Sequence, residues 1–395
     1  MVALVFAWLL CGVSDAAEFR PPLTTAEGYA VPQPGRRFEF PSDHGAHPEF
    51  KLEWWYVTGH LVAAGERRFG FQATFFRRAG PLDRAGTNTM SAANITNIVA
   101  TTGAAADGSS PFFRSDEVHL AHMAVLDVRT GKFVFQERLN RRGWDADATT
   151  NGLHAWNGNW SLRMTNATTQ GMELVGSVRA EAAFHLALTP EKPLVVFGEN
   201  GVSRKGASPT AASHYLTFTR LKTAGTLRLG TETFAVQGRS WMDHEISSSQ
   251  LDPGQAGWDW ACLQLHDGRD LMAYRMRGKD GSTDPFSTLA WVDANGRVTH
   301  VGAGQFSWQA TGTARHPRSG VSYPNRVKLV TTDPGTGAVV ELHLEPLAPH
   351  QELDGGLSGI PYWEGACRVL DGQRREVGAA FLELTGYAGA LGGRF

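Results

Sequence analysis

The chain has 395 residues, and its 37 Lys and Arg nearly balance its 39 Asp and Glu, which leaves a formal net charge of -2 at pH 7. This balance lacks the basic excess of a nucleic-acid-binding protein, so we expect no nucleic-acid partner. Glycine occurs 45 times and tryptophan 12 times, which favours many short strands joined by tight turns in up to two domains.

The first residues resemble an export signal. Residues 1–13 form an apolar run that is short for a membrane span, and small residues follow at 14–17. The usual positively charged start is missing, so a buried first strand is the alternative. Cys11 follows two leucines, which is a poor match to a lipoprotein anchor. We predict that residues 1–17 are a cleaved signal peptide and that the mature bacterial protein is periplasmic or secreted.

From residue 37 onwards the sequence alternates between strands and turns. Residues 51–60 are predicted to pair with 67–77, a strand in which Phe71 and Phe75 share one face while Gln72 lies on the other. Similar hairpin patterns recur to the end of the chain, with a seam at 222–225. We therefore predict an all-β protein with two tandem antiparallel β-barrel domains, covering 37–222 and 223–390.

The densest group of functional residue types is Glu53-Trp54-Trp55-Tyr56. On a strand, Glu53 and Trp55 point to one face, and Trp54 and Tyr56 point to the other. A carboxylate on an apolar face is costly unless it is hydrogen-bonded or neutral. Two interpretations follow: Glu53 is satisfied by a loop amide or an arginine among core tryptophans, or it is the orienting group of a ligand pocket.

A second group, Trp241-Met-Asp243-His244, lies almost two hundred residues later. Neighbouring strand residues face opposite ways, so Asp243 and His244 reach one ligand only if the chain bends, and the Ser- and Gly-containing run at 246–254 favours a bend. Burial among tryptophans would raise the pKa of Asp243 and keep it protonated as a general acid. The alternative is an aspartate that caps a turn, with His244 as its surface neighbour.

Several other kinds of site find no support in the sequence. Cys262 and Cys367 lie in no CxxC pair, and His119 and His122 are spaced for opposite strand faces, so we expect no metal. Phosphate-loop, dinucleotide and nucleophile-elbow motifs are absent, so we expect no cofactor. The two cysteines could form one disulfide or remain two buried thiols.

These motifs resemble the CrtC/AttH family, lipocalin-like proteins that include carotenoid 1,2-hydratases and predicted secreted hydrolases. The resemblance covers nearly the whole mature chain. It implies two lipocalin-like barrels with an apolar cavity and, for the hydratase members, addition of water to a terminal double bond of an acyclic carotenoid. The matching segments are Phe40-Pro-Ser-Asp-His44, Glu53-Trp-Trp-Tyr56 with Thr58-Gly59, Phe71-Gln72, Phe75-Phe-Arg77, Trp241-Met-Asp-His-Glu245, Trp258-Asp-Trp260 and Glu383-Leu-Thr-Gly-Tyr387.

The resemblance also suggests roles for individual residues. Asp243 would protonate the alkene, tryptophan faces would stabilise the carbocation, and His244 or Glu53 would hold the attacking water. The ligand would be an apolar small molecule, an isoprenoid or a lipid. The substrate-binding candidates are Trp54, Trp55, Tyr56, Trp241, Trp258, Trp260, His44 and Gln72.

Two other functions compete with the hydratase. The first is a non-catalytic periplasmic carrier for a lipid, with a functional link to a membrane transporter. The second is a secreted hydrolase, for which the sequence offers no recognisable nucleophile. A buried, protonated Asp243 near aromatic faces would favour the enzyme, whereas an Asp243 paired only with His244 or a turn would favour the carrier.

Overall fold

The computed structural model describes residues 19–82 and 116–392 of the chain. Almost all of its regular structure is β-strand, arranged in two large antiparallel sheets, and short 3-10 turns cover Ser42–His44, Ala64–Glu66 and Ala303–Gln305. This confirms the predicted all-β class and its tandem antiparallel barrels. The predicted signal peptide, 1–17, lies outside the described residues. Within the described ranges, no helix is long and apolar enough to span a membrane.

The first sheet contains the strands of the N-terminal part of the chain. Its hydrogen-bonded order is β4-β3-β2-β1-β13-β12-β9-β8-β7-β6-β5, and β10 and β11 pair with β12. The strands are β1 Leu52–Ala63, β2 Arg67–Arg78, β3 Val118–Asp127, β4 Lys132–Arg141, β5 Ala146–Ala148, β6 His154–Asn157, β7 Trp160–Asn166, β8 Gly171–Val178, β9 Ala182–Pro190, β10 Val195–Phe197, β11 Ser203–Arg204, β12 Ala212–Leu229 and β13 Glu232–Ser249.

The second sheet contains the remaining strands. Its order is β17-β16-β15-β14-β23-β22-β20-β19-β18, and β21 pairs with β22. The strands are β14 Gln255–Leu265, β15 Asp270–Gly278, β16 Thr288–Val292, β17 Val298–Gly302, β18 Ser307–Arg315, β19 Ser322–Thr332, β20 Val339–Pro346, β21 Glu352–Leu353, β22 Tyr362–Asp371 and β23 Glu376–Leu384.

The first sheet curls until its two ends meet. Asn157 of β6 donates from Nδ2 to the His119 carbonyl of β3 at 3.1 Å, and its Oδ1 accepts from Asn140 of β4 at 2.7 Å. Large apolar side chains such as Trp160 and Phe71 fill the interior. Curling leaves little free strand edge, which is how barrels protect their backbone hydrogen-bonding groups.

The change from one sheet to the other lies further along the chain than the seam predicted at 222–225. Those residues fall inside β12, and β13 still belongs to the first sheet, so the sheets change between Ser249 and Gln255. Gly225, at the end of the predicted seam, lies within β12, where its backbone passes so close to β9 that a Cβ would lie 2.0 Å from the His185 carbonyl oxygen. A glycine within a strand often marks such a close approach.

The two sheets pack against each other through an aromatic layer. Tyr56, Tyr215 and Trp241 of the first sheet form one buried cluster with Trp260 and Phe381 of the second. The strand alternation of β1 explains the arrangement, because Trp55 and its same-face neighbours fill the first barrel while Tyr56 faces the second sheet. The packing therefore joins the two sheets over a shared core.

A buried charge cluster also crosses the interface. The carboxylate of Asp270 on β15 is fully buried and accepts hydrogen bonds from Lys192 at 2.6 Å, Thr219 at 2.9 Å and Arg220 at 2.5 Å, all from the first sheet or its loops. Cys262 and Cys367 are both buried free thiols. The two-thiol alternative therefore holds, rather than the disulfide.

Candidate active site

A cavity of about 810 Å³ lies between the two sheets. Its volume falls in the usual range for small-molecule sites. The first sheet contributes Trp54, Tyr56 and Tyr215 to the walls, and the second contributes Trp258 and Trp260. Aromatic walls of this kind suit an apolar ligand, so the few polar groups among them determine what chemistry the cavity can perform.

Asp243 is one of these polar groups. Its side chain is 3% exposed, and Oδ1 accepts from Thr217 Oγ1 and Trp241 Nε1, each at 2.7 Å. Tyr215 Oη donates to Oδ2 at 2.7 Å. Burial raises the pKa of Asp243 to about 7, because the loss of hydration outweighs the three donors. A protonated and an ionised Asp243 are therefore both populated near neutral pH.

Glu364 and Glu383 form a second acidic group in the same cavity. They are directly opposed on β22 and β23, and both line the cavity. Burial, reinforced by the Glu383 charge, raises the pKa of Glu364 well above its ordinary value. Burial also raises the pKa of Glu383 to about 7, although Trp258 Nε1 donates to it at 3.1 Å. Two neighbouring buried carboxyls cannot both carry charge cheaply, so at least one is a neutral acid.

Among the described residues, only one oxygen of the Glu364 carboxyl has a hydrogen-bond partner. Tyr56 Oη donates to Oε1 at 2.6 Å across the sheet interface. Oε2 is buried and has no hydrogen-bond partner among the described residues. A neutral carboxyl with its second oxygen free can donate a proton to a bound molecule. Asp243, by contrast, has donors on both of its carboxyl oxygens.

An ion pair lines another part of the cavity wall. Lys205 Nζ lies 3.0 Å from Glu245 Oε2 and within 4.7 Å and 4.4 Å of the ring centroids of Tyr215 and Tyr274. Burial alone would lower the pKa of Lys205, but the Glu245 carboxylate outweighs it and the pKa is raised. Since the two charges neutralise each other, this wall offers a polar contact without a net charge.

His244 lies on the opposite face of β13 from Asp243. The ladder between β1 and β13 runs unbroken, with Tyr56 opposite Asp243 and Trp55 opposite His244. The bend predicted to bring Asp243 and His244 to one ligand is therefore absent, because continued pairing with β1 keeps the strand extended. The His244 ring instead stacks on Trp55, with centroids 4.8 Å apart.

Glu53 belongs to a hydrogen-bonded network of side chains at the end of the first barrel. Its Oε1 lies 2.9 Å from His244 Nε2 and 2.8 Å from His47 Nδ1, and His47 Nε2 lies 2.8 Å from Asp43 Oδ1. Burial would raise the pKa of Glu53, but the two imidazoles outweigh it and lower that pKa to about 2. Glu53 borders the cavity, yet its carboxylate already binds His47 and His244.

In the part of the chain that the structure describes, two side-chain clusters place potential metal-binding atoms within 4.8 Å of one another: His47 with Glu53 and His244, and Glu117 with His119 and Asp147. Arg77 lies beside both clusters. Arg77 is 3.6 Å from the Glu53 carboxylate and 3.1 Å from that of Glu117. A nearby guanidinium opposes a bound cation, so the hydrogen bonds and ion pairs describe these clusters better than a metal does.

The remaining substrate-binding candidates divide between the cavity and the first barrel. Trp54, Tyr56, Trp258 and Trp260 line the cavity, and Trp241 supports it through Asp243. Trp55 and His44 lie at the first barrel, where Trp55 Nε1 donates to the His44 carbonyl at 3.0 Å. Gln72 is buried beside Thr74 on β2.

Several cavity residues were not among the sequence candidates: Glu364, Glu383, Tyr215, Lys205, Tyr362 and His122. A signal for two of them existed. Tyr362-Trp-Glu364 repeats the residue types of Glu53-Trp-Trp-Tyr56 in reverse order, and alternation places Tyr362 and Glu364 on one face. No local pattern singles out Lys205, because its role depends on the neighbouring strands.

Comparison with known families gives one match over most of the chain. A family model described as AttH-like matches residues 31–387. Among solved structures, a protein of Nitrosomonas europaea provisionally described as AttH is 32% identical, with a TM-score of 0.75 over 91% of this chain and 99% of that one. No curated protein sequence gives a significant match.

More distant structures share the fold alone. Kievitone hydratase from Nectria haematococca is 12% identical, with a TM-score of 0.63 over 94% of this chain and 98% of that one. The protein CghA is also 12% identical, with a TM-score of 0.51 over 93% of this chain and 98% of its own. Identities this low carry no information about residue roles.

Proposed function

We propose that this chain, which belongs to the AttH-like family, is an enzyme that adds water to a carbon–carbon double bond of an apolar, isoprenoid-like molecule. The observation that carries the proposal is the set of three carboxyls that line one aromatic-walled cavity: Asp243 and Glu364, which are buried, and Glu383, which is half-buried. The hydratase name of one distant structure with the same fold fits this reaction class. A cavity that keeps carboxylic acids neutral suits protonation of an alkene.

The proton donor in this proposal is Glu364. Its free Oε2 can point a proton at the ligand, while Tyr56 fixes the other oxygen. Asp243, the acid expected from the sequence, has both oxygens occupied by donors, so it supplies a proton only after Tyr215 rotates. Asp243 therefore stands as the second candidate for the same step.

The reaction proceeds as acid-catalysed hydration. The carboxyl proton of Glu364 forms a C–H bond as the π bond breaks, and a carbocation remains on the neighbouring carbon. The faces of Trp258 and Trp260 can stabilise that cation. Water then forms the C–O bond and loses a proton, which restores the acid over the cycle, so the net change is the addition of one water.

The direct test uses ¹⁸O-labelled water. The purified protein is incubated with acyclic carotenoids and with a lipid extract of its host, and products that have gained labelled water are detected by mass spectrometry. We expect such a product, and we expect Glu364→Gln to slow its formation about 100-fold or more, because general-acid catalysis has that magnitude. Glu376→Gln, at an exposed position of β23, is the matched control and should retain full activity.

Three other results have distinct meanings. Loss of activity in Asp243→Asn but not in Glu364→Gln would support the hydration reaction and identify Asp243 as the proton donor. A lipid recovered from wild type and both variants, with no labelled product, would refute the enzyme and support the carrier. Release of a carboxylic acid or alcohol from an ester would support the hydrolase.

Export is part of the same proposal. A hydratase or carrier of apolar molecules outside the cytoplasm would require removal of residues 1–17. N-terminal sequencing of the protein recovered from its host tests this directly, with a start at Glu18 as the expected result.

A further inference from the structure

A further group of polar side chains starts at the cavity wall with Tyr362 and His122 and ends at Glu137 behind them; it is called here the relay. Tyr362 Oη lies 2.7 Å from His122 Nδ1, and both residues line the cavity. His122 Nε2 lies 3.1 Å from Glu137 Oε1, at an angle outside that of a hydrogen bond. Tyr362 and His122 are 6% and 2% exposed, so their polar atoms depend on one another for hydrogen bonds and not on bulk solvent.

The far end of the relay is an anchored carboxylate. Glu137 Oε2 accepts from the Leu357 amide at 2.8 Å, and Oε1 accepts from Ser358 Oγ at 3.0 Å. Burial would raise the pKa of Glu137, but the His122 ring and these two donors outweigh it and the pKa is lowered. Glu137 is therefore a fixed negative charge behind His122.

This charge determines the orientation of the relay. Electrostatic attraction to the Glu137 carboxylate favours the His122 tautomer that carries its N–H on Nε2, and the relay requires this tautomer. Nδ1 then carries the lone pair and accepts the hydroxyl proton of Tyr362. With its own proton directed at His122, Tyr362 Oη keeps its lone pairs for other donors: the Gln72 side chain, which hydrogen-bonds to it, and a molecule in the cavity. It can accept a proton there.

The position of Tyr362 relative to Glu364 completes the geometry. The two residues are two positions apart on β22 and share its cavity face, a separation of about 7 Å along the strand. A proton donor and a proton acceptor thus lie side by side on one wall of the cavity. Tyr56 fixes the donor and Glu137 orients the acceptor.

We propose that the relay is the proton-accepting half of the site: Tyr362 takes a proton from the water that attacks the carbocation and passes its own proton to His122. The inference rests on the proposed hydration. The water oxygen forms the C–O bond, its proton moves to Tyr362 Oη, and the Tyr362 proton moves to His122 Nδ1. His122 later returns that proton to Glu364 through solvent. Glu137 is a positioning residue because its polar contacts within the described ranges are to His122, the Leu357 amide and the Ser358 hydroxyl.

One arm of the test does not depend on turnover. Isothermal titration compares farnesol with farnesyl methyl ether, two isoprenoid probes that differ in the O–H group. A proton-accepting Tyr362 predicts about tenfold tighter binding of farnesol, and Tyr362→Phe should abolish that difference. Tyr323→Phe, which removes a buried hydroxyl from the core of the second sheet, is the control. Equal affinities for both probes in the wild type would overturn the relay.

The other arm measures hydration with the substrate identified by isotope labelling. We expect Tyr362→Phe and His122→Ala to lower kcat about 100-fold with little change in KM, and added imidazole to restore part of the activity of His122→Ala alone. Full kcat in either variant, or a loss that imidazole does not restore while thermal stability falls, would refute the relay. If no protein hydrates any substrate, the hydration proposal fails, and the farnesol comparison still decides whether Tyr362 accepts a ligand proton.

Discussion

Asn in place of Asp243 should make the protein less sensitive to alkaline pH. Asn imitates the protonated carboxyl, since its Oδ1 can accept from Thr217 and Trp241 as Asp243 Oδ1 does. Its Nδ2 can donate to Tyr215 Oη, which already accepts from Trp260 Nε1 at 2.9 Å. The substitution therefore removes an ionisation while keeping most of the hydrogen bonds.

The magnitude follows from the pKa of Asp243, which burial raises from 3.8 to about 7 in the folded protein. Because the folded pKa lies above the unfolded one, the stabilisation is complete below the unfolded pKa and is lost as the pH rises through the folded pKa. Between pH 5 and pH 8 the loss is about 2 to 3 kcal/mol of unfolding free energy. Asp243→Asn should not suffer that loss.

Urea unfolding at pH 5 and pH 8 measures the effect. The quantity of interest is the difference in unfolding free energy between variant and wild type, which should shift in favour of the variant by about 2 to 3 kcal/mol at the higher pH. Asp280→Asn on an exposed turn is the control, because the pKa of Asp280 is lowered from 3.8 and the group stays ionised throughout. Parallel pH dependence in wild type and Asp243→Asn would refute the assignment of a buried, partly protonated Asp243.

Other substitutions test the fold around the cavity. Asp270→Asn leaves Lys192 and Arg220 buried without their counter-charge and should cost about 3 to 5 kcal/mol of unfolding free energy, whereas the exposed Asp267→Asn should cost less than about 1 kcal/mol in the same assay. Gly70→Val should destabilise by about 1 to 3 kcal/mol in thermal unfolding, because even a Cβ there would lie 2.6 Å from Ala366 Cβ across the sheet interface; an unchanged Tm would contradict that close contact. Cys262 and Cys367 should resist a thiol reagent in peptide mapping until the protein is unfolded, because burial raises the pKa of both thiols well above the usual range and lowers access; labelling in the folded state would show that the sheets open.

Alternation along strands made much of the architecture predictable. The Phe-rich face of β2 and the aromatic faces of β1 identified strands, and their pairing follows the predicted hairpin. The same rule correctly separated Trp55 from Tyr56. The prediction for Asp243 and His244 was wrong because it assumed a bend in place of strand alternation. The long ladder to β1 instead holds β13 extended.

The cavity itself was harder to predict because its acids come from distant parts of the chain. Glu364 and Glu383 meet only when β22 pairs with β23, and Tyr56 reaches Glu364 only when the two sheets dock. Nothing near Lys205 indicates that it will face Glu245. Local sequence shows which face of a strand is apolar, but not which other strand will cover that face.

The hydrogen bonds from Tyr56 to Glu364 and from Trp260 to Tyr215 have a consequence for how a bulky molecule gets in and out. Both bridge the two sheets, so a motion that parts the sheets to admit a long hydrocarbon would break them and let bulk water reach the acids. In water a carboxyl ionises at its ordinary pKa. We therefore expect the cavity carboxyls to ionise when the sheets part and to be protonated again when the sheets close. Acid catalysis would then occur only while the substrate is enclosed.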